Sequence, residues 1–340
     1  MTIDYKAAGV DIDAANRAKQ LMAGAVRSTH GAAVLAGMGA FGGALSLAET
    51  LVRTPDPVLI ASTDGVGTKT LIAAALGRYD TVGQDLVNHC IDDVLVQGAR
   101  PLFFMDYIAA ARLDADQAAA LVAGMASACR AAGCALLGGE TAEMPDVYAA
   151  GAFDLAGTMV GVADRSALIT GATIQPGDAA LALPSSGLHT NGYSLARRIC
   201  DPLGYDARPA ELGGASLGEA LLAVHRSYLA EIEALWAAGV TIKGLAHITG
   251  GGLWENVPRV LPDGVGVEVR RGAWPIPPIC QFLVERSGLS EYEAYRTLNM
   301  GLGMVVFVAA SDVAAAQAAA PELALVGATT EAADARVQLI

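Results

Sequence analysis

Val58-Leu59-Ile60-Ala61-Ser62-Thr63-Asp64-Gly65-Val66-Gly67-Thr68-Lys69 is the stretch from which the fold can be read. Its aliphatic and β-branched start predicts a buried strand, which Asp64-Gly65 ends. A carboxylate at a strand end can hold Mg²⁺, and small residues after it let backbone N–H groups approach a phosphate. Thr68 and Lys69 add a hydroxyl and a cation. The spacing is not that of the Gly-x-x-x-x-Gly-Lys phosphate loop, and a solvated turn with a structural Asp is the plain alternative. Outward from this stretch, Thr81 to Gln97 reads as a helix, with Val82, Leu86, Val87, Ile91, Val94 and Leu95 at helical spacing. Pro101 breaks the chain, and Leu102 to Tyr107 reads as a second strand. Asp114 is a good N-cap for a helix to about Ala132. Gly133 closes that helix, and Ala135-Leu136-Leu137 runs as a strand into Gly138-Gly139-Glu140. The turn-rich Gly171 to Asp178 precedes a new strand, Ala179 to Leu183, and marks a boundary near residue 170. The order predicts α/β or α+β architecture in two domains, 1–170 and 171–340.

The 340 residues are 53% apolar and 17% charged, which excludes a disordered chain and suits two cores. Charges interrupt the Ala- and Gly-rich runs before they reach membrane-spanning length. The start, Met1 to Lys6, has neither a basic nor an apolar targeting segment, so a cytoplasmic protein with no membrane partner is the expectation. A formal net charge of −13 repels nucleic acid and anionic lipid, and an anionic ligand here needs a metal or a local cluster of donors. The five cysteines (Cys90, Cys129, Cys134, Cys200, Cys280) are scattered and read as buried reduced thiols.

Other turns carry candidate chemistry. Gly37-Met38-Gly39-Ala40-Phe41-Gly42-Gly43 satisfies the Gly-x-Gly-x-x-Gly pattern, with Asp64 downstream at a strand end. Only the short Ala32 to Ala36 precedes it where a dinucleotide fold needs a firm buried strand. An acidic set, Asp92-Asp93, Asp106 and Gly138-Gly139-Glu140-Thr141, supplies the hard oxygens that a Mg²⁺–nucleotide requires. Adjacent Asp92 and Asp93 point about 100° apart on a helix, so at most one faces a shared site. In the second half, Ser185 to Ser194 and His247-Ile248-Thr249-Gly250-Gly251-Gly252 each lead into a helix, as phosphate-cradling turns do. Each turn brings one histidine. His189, among small polar residues, suits proton transfer, and packing is the alternative for both it and His247.

Together these strings resemble the aminoimidazole ribonucleotide synthetase (phosphoribosylformylglycinamidine cyclo-ligase) family. The resemblance rests on Tyr5-Lys6 with Ala8 to Ile12, the Gly37 to Gly43 turn, Asp64 to Lys69, Val96 to Ala99 before Pro101 to Phe104, and Gly138 to Pro145. It continues through Ser185 to Ser194, His247 to Asn256 with Pro258 to Pro262, and Tyr295-Arg296-Thr297 with Asn299. It runs in order over nearly the whole chain.

The resemblance implies a two-domain fold whose N-terminal domains pair their sheets into a barrel, hence a homodimer. It implies ATP and Mg²⁺ as the energy source and formylglycinamidine ribonucleotide as substrate. Phosphorylation of the formyl oxygen makes it a good leaving group, a nitrogen of the amidine attacks, and the imidazole ring closes. Position by position, Gly37, Gly39, Gly42, Asp64, Gly65, Gly67, Thr68, Lys69, Gly138, Gly139, Glu140 and Thr141 look like the ATP and phosphate segments. Asp64, Asp93 and Glu140 look like metal ligands, and His189 and Lys69 like catalytic residues. His189, Asn191, His247, Thr249, Gly250, Gly251 and Asn299 resemble the ribonucleotide side.

Two places depart from the pattern. Met22 stands where some members carry Lys, and Val224-His225-Arg226-Ser227-Tyr228 stands where many have Pro-Thr, a basic residue, Ile and Tyr. Sibling enzymes of the superfamily are the nearest rivals: thiamine-phosphate kinase, selenophosphate synthetase, hydrogenase maturation factor and the amidotransferase-linked synthetase. No cysteine precedes Cys90, where selenophosphate synthetase usually has one near its N-terminus. A nucleotide-binding scaffold without catalysis is the reading from another class, and the joint presence of Asp64, Lys69, Glu140 and His189 argues against it.

Overall fold

The computed structural model describes residues 11–332 and 335–340, so Tyr5-Lys6 and Ala8 to Val10 lie outside the described residues. Contacts within the chain divide it into two compact units, residues 1–95 with 99–167, and residues 96–98 with 168–340.

The first unit runs α1 (Ile12–Arg27), β1 (Val34–Ala36), β2 (Ala44–Leu45), α2 (Ala48–Arg53), β3 (Pro57–Gly65), α3 (Lys69–Leu76) and α4 (Asp80–Leu95). It continues with β4 (Arg100–Ala110), α5 (Ala115–Ala131), β5 (Ala135–Glu143) and β6 (Phe153–Asp164). Helix starts follow their caps: the Asp11 carboxylate accepts from the Asp13 and Ala14 amides, and Asp114 from those of Asp116 and Gln117. Four strands make one sheet in the order β3-β6-β4-β5, antiparallel except for the β4–β5 pair. Helices α4 and α5 cover one face. They approach so closely that a Cβ on Gly83 would lie 2.2 Å from the Leu121 carbonyl oxygen, and one on Gly124 2.1 Å from that of Asp80.

The strand from Val58 is half-buried rather than buried throughout. Ile60 packs beneath the sheet, while Leu59 on the opposite face is 59% exposed and Ala61 and Thr63 are exposed with it. The cause is the one-sided cover: alternation sends every second side chain to the face that lacks helices. Met105, 40% exposed, belongs to the same open face.

The Gly37 to Gly43 turn joins β1 and β2, which pair antiparallel with Val34 opposite Leu45. The second strand of that hairpin follows those glycines, not a helix, which removes the dinucleotide reading.

The second unit runs β7 (Ala179–Pro184), α6 (Tyr193–Cys200), α7 (Leu217–Leu221), α8 (Leu229–Ala237), β8 (Gly244–His247) and α9 (Gly252–Asn256). Then come β9 (Val265–Val269), α10 (Pro278–Ser287), α11 (Glu291–Thr297), β10 (Leu302–Val308), α12 (Val313–Ala319), β11 (Ala324–Glu331) and β12 (Val337–Leu339). Its sheet has the order β12-β9-β11-β7-β10-β8. Every residue of β10 is buried, and its register sets Leu302 opposite Pro184 and Met304 opposite His247. The ends of β7 and β8 therefore come out together on either side of β10. All five cysteines are free and buried, and burial pushes the Cys280 thiol up to about 12, so these groups stay as inert thiols. Among the described residues, no helix is long and apolar enough to cross a membrane.

Candidate active site

In the first unit the sheet register places Asp64 opposite Gly157 and Asp106 opposite Gly157 and Gly139, so the four lie in one row across the strands. Beneath that row α4 presents Asp85, His89 and Asp93 at a spacing of four, one face of a helix. His89 Nε2 lies 2.8 Å from Asp64 Oδ2 and 3.8 Å from Asp93 Oδ2, and the Ser62 hydroxyl donates to Asp93 at 2.9 Å. The Asp64 and Asp93 side chains keep 43% and 27% of their surface. Burial raises the Asp64 carboxyl, but the hydrogen bond and charge of His89 and the Gly65 amide outweigh it and hold the group below its ordinary value. Burial lowers His89, and Asp64, with Asp93 and Asp85, more than restores it, so the imidazole sits above its ordinary value. Two partly exposed carboxylates, Asp64 and Asp93, thus bracket the His89 ring. Asp92, one step round the helix, is fully buried, so only one of the adjacent pair joins the cluster.

Two sequence expectations change here. Lys69 is completely buried, its ammonium 2.7 Å from Asp85 Oδ2, also completely buried. No phosphate reaches it in this conformation, and the pair instead ties the start of α3 to α4. Burial lowers the Lys69 ammonium and Asp85 offsets part of that. Glu140 does not meet Asp64 and Asp93. It lies on β5, three strand places from β3, roughly 14 Å at about 4.8 Å per place. Its carboxylate accepts from the Thr141 amide at 2.9 Å, beside Gly138 and the exposed Gly139. Asp106 points beneath the sheet, and its carboxyl is pushed up to about 7, first by burial and then by the Glu140 charge.

Gly67 has φ +66°, Gly65 donates to the Asp64 carboxylate at 2.6 Å, and Thr68 precedes α3. Gly37, Gly39 and Gly42 sit in the β1–β2 hairpin, where a Cβ on Gly37 would strike the His30 ring at 2.5 Å.

In the second unit, residues 185–192 leave β7 and enter α6. Asn299, 3% exposed, clasps this loop from below: its amide donates to the Gly187 carbonyl at 2.7 Å and its Oδ1 accepts from the Ser185 hydroxyl at 3.1 Å. His189 is held at φ +61°, left-handed backbone that a non-glycine residue enters only under constraint. Its Nε2 accepts from the Ser186 amide at 3.2 Å. The loop after β8, Thr249 to Gly252, is sewn by Asn256, whose amide donates to the carbonyls of Thr249, Gly250 and Gly252 at 3.3, 3.2 and 2.8 Å. Gly252 (φ +59°) must stay glycine, since a Cβ would lie 1.8 Å from the Tyr295 carbonyl oxygen. The two loops meet at Asn191, whose Oδ1 lies 3.3 Å from where a Cβ on Gly250 would stand. The Asn191 Nδ2 is enclosed by protein and has no hydrogen-bond partner among the described residues. A buried amide left so costs about 1–3 kcal/mol, which a ligand oxygen would recover. His247, at the end of β8, and Gly251 complete this face.

Sequence reasoning missed Asp85, His89 and His225. The first two could have been found, since Asp85, His89 and Asp93 recur at helical spacing within the predicted helix. His225, fully buried, has its Nε2 3.1 Å from His247 Nε2, and its ring stacks on His189 with centroids 4.0 Å apart.

Residues 48–163 match the family model of the AIR synthase related protein, N-terminal domain, and residues 175–340 match that of its C-terminal domain. A phosphoribosylformylglycinamidine cyclo-ligase of Methylobacillus flagellatus is 50% identical over 317 residues, 93% of this chain and 90% of the relative. One of Alkaliphilus oremlandii is 48% identical over 316 residues, 92% of each. Among solved structures, thiamine-monophosphate kinase of Stenotrophomonas maltophilia superposes with TM-score 0.68 at 17% identity, covering 94% of this chain and 95% of that one. The hydrogenase maturation protein HypE of E. coli superposes with TM-score 0.66 at 21% identity, covering 94% and 93%. Those two share the fold alone, whereas the cyclo-ligases share half their residues over nearly the full length of both chains. This protein belongs to the phosphoribosylformylglycinamidine cyclo-ligase family.

Proposed function

We propose that this chain closes the imidazole ring of aminoimidazole ribonucleotide from formylglycinamidine ribonucleotide, using ATP and Mg²⁺ and releasing ADP and phosphate. The family supports the reaction, and the observation that carries the substrate assignment is the Asn191 amide, buried without a partner beside Gly250. In this reading the Asn191 side chain, half-buried as a whole, turns its amide out to donate to an oxygen of the ribonucleotide, and the Thr249 to Gly251 backbone lines its phosphate. Asn299 positions the His189 loop from beneath instead of touching substrate.

The γ-phosphoryl group of ATP goes to the formyl oxygen. The amidine nitrogen then bonds to the formyl carbon as the bond from that carbon to the phosphorylated oxygen breaks, phosphate leaves, and the nitrogen gives up its proton to solvent. With Nε2 of His189 accepting from Ser186, a neutral ring carries its proton on Nδ1. His189 is therefore set to give a proton to the departing oxygen rather than to take one from the nitrogen.

Asp64 and Asp93 fit Mg²⁺: both are partly exposed oxygen donors, and His89 holds them in place. The ion, when bound, neutralises phosphate charge. Glu140 keeps a place as a separate nucleotide-facing carboxylate, with Gly138, Gly139 and Thr141, and not as a co-ligand of Asp64. Lys69 acts as the buried counter-ion of Asp85 that fixes the Gly65 to Thr68 turn between β3 and α3. The chain works in the cytoplasm as a homodimer through the open face of the first sheet, where Leu59 and Met105 leave apolar surface bare.

Incubation with ATP, Mg²⁺ and formylglycinamidine ribonucleotide tests the reaction, with ADP release required to depend on that substrate. Asn191→Leu should raise KM for the ribonucleotide about tenfold or more and leave KM for ATP unchanged. ADP release that ignores the ribonucleotide would overturn the assignment, and light scattering that finds only a monomer at micromolar concentration would overturn the dimer.

A further inference from the structure

We propose that His189, His225 and His247 form a binding site for a borderline divalent transition metal, with Zn²⁺ the ion of best fit. One nitrogen from each ring lies within 4.8 Å of the other two. The three side chains converge from separate pieces of the second unit: the loop after β7, the segment before α8, and the end of β8. All three are buried, at 1%, 0% and 6% exposure.

The separation of the two closest nitrogens decides the chemistry. His225 Nε2 and His247 Nε2 are 3.1 Å apart. Two imidazoles on one tetrahedral Zn²⁺, each about 2.0–2.1 Å from the ion, hold their nitrogens about 3.3 Å apart. The pair is therefore within a few tenths of an ångström of chelating geometry. Without an ion, one Nε2 must carry a proton and donate it to the other.

The other nitrogen of His225 favours the ligand form. Nδ1 lies 3.4 Å from the Thr190 hydroxyl, an oxygen that can accept its proton and leave the Nε2 lone pair facing inward. His189 closes the set when its ring turns off its stack on His225, giving up the 3.2 Å contact from the Ser186 amide. Three neutral imidazoles select Zn²⁺ or Co²⁺ over Mg²⁺, which prefers oxygen. Within this trio every donor is a ring nitrogen, so three histidines and an open fourth position describe the site. His225 comes from the segment in which this chain departs from the pattern it otherwise resembles, so the site is a property of this chain.

The test uses the full-length protein, stripped with chelator and titrated with Zn²⁺ against a chromophoric competitor, then with Co²⁺ followed by visible absorption. The expected result is one Zn²⁺ per chain with Kd below about 1 μM, weakened on the order of 100-fold in His225→Thr and in His247→Gln. Co²⁺ should give the intense d–d bands of a tetrahedral nitrogen site without a thiolate charge-transfer band, a readout on wild-type protein that no variant's folding can obscure. Absence of stoichiometric Zn²⁺ binding overturns the proposal. So does binding that both substitutions leave unchanged, or a Co²⁺ spectrum that reports thiolate or octahedral oxygen ligands.

Discussion

Lys69→Met separates a structural lysine from a catalytic one. The ammonium and the Asp85 carboxylate are both 0% exposed and 2.7 Å apart, so truncating one charge strands the other in the interior. Breaking such a pair costs about 3–5 kcal/mol, whereas exchanging both partners for apolar residues of similar size is neutral or gains about 1–4 kcal/mol. For a unit of this size each kcal/mol moves Tm by about 2–4 °C, so the single variant should melt roughly 6–20 °C lower. Lys69→Met with Asp85→Leu should melt near wild type, and the double-mutant cycle should return a coupling of at least about 3 kcal/mol. Calorimetry at neutral pH reads the melting, with the loss expected in the transition of the first unit. Turnover measured on the same four proteins completes the test. If Lys69 serves only Asp85, the double variant recovers activity along with stability. A single variant that melts within about 2 °C of wild type refutes the argument, and a stable double variant without turnover returns Lys69 to the ligand.

Three further outcomes follow from the same geometry. Asp64→Asn should stay folded, since its side chain is partly exposed, yet lose on the order of 10³-fold in turnover at saturating Mg²⁺; near-normal turnover would remove Asp64 from the metal. His189→Ala should lower kcat by roughly 10²–10⁴-fold with little change in KM, and an unchanged kcat in steady-state assays would end the proton-donor role. Asp106 binds its proton more tightly when folded, its carboxyl standing at about 7 against an ordinary 3.8, so its contribution to stability falls as pH rises from about 4 to 7. Asp106→Asn should therefore raise Tm at pH 8 and lose that advantage near pH 4 in melting curves across the range, and an advantage that grows as pH falls would refute the sign.

The cap at Asp114 and the Gly65 to Thr68 turn were legible because they depend on neighbours in sequence, whereas β4 runs through Pro101 to Ala110 and β5 through Gly138 and Gly139 to Glu143, past the ends expected for them. Asp114 accepts from the two amides that a capping residue should satisfy. What stayed hidden depends on strand order. Nothing local says that β6, the last strand of its unit, inserts between β3 and β4 and so carries Glu140 away from Asp64. The burial of Lys69 was equally invisible, because it follows from a helix-to-helix pairing with Asp85. The open face beyond Leu59 escaped for a related reason: the run is apolar enough to be buried on both sides, and only the layering shows one side bare. The histidine cluster needed three separate segments to be folded before His225 could be seen beside His189 and His247.

The row of residues across the first sheet also bears on how its relatives can diverge. A Cβ on Gly139 would stand 2.3 Å from an Asp106 carboxylate oxygen, and one on Gly157 would stand 2.1 Å from the Phe104 ring. Gly157 can gain a side chain only if Phe104 gives up volume, whereas Gly139 also faces the Asp106 backbone carbonyl at 2.6 Å, which no substitution at 106 removes. Gly139 should therefore stay glycine, while substitutions at 157 and 104 should enter lineages in pairs, the smaller neighbour at 104 arriving first. Counts of paired change along a phylogeny would record that order as a historical trace of the packing.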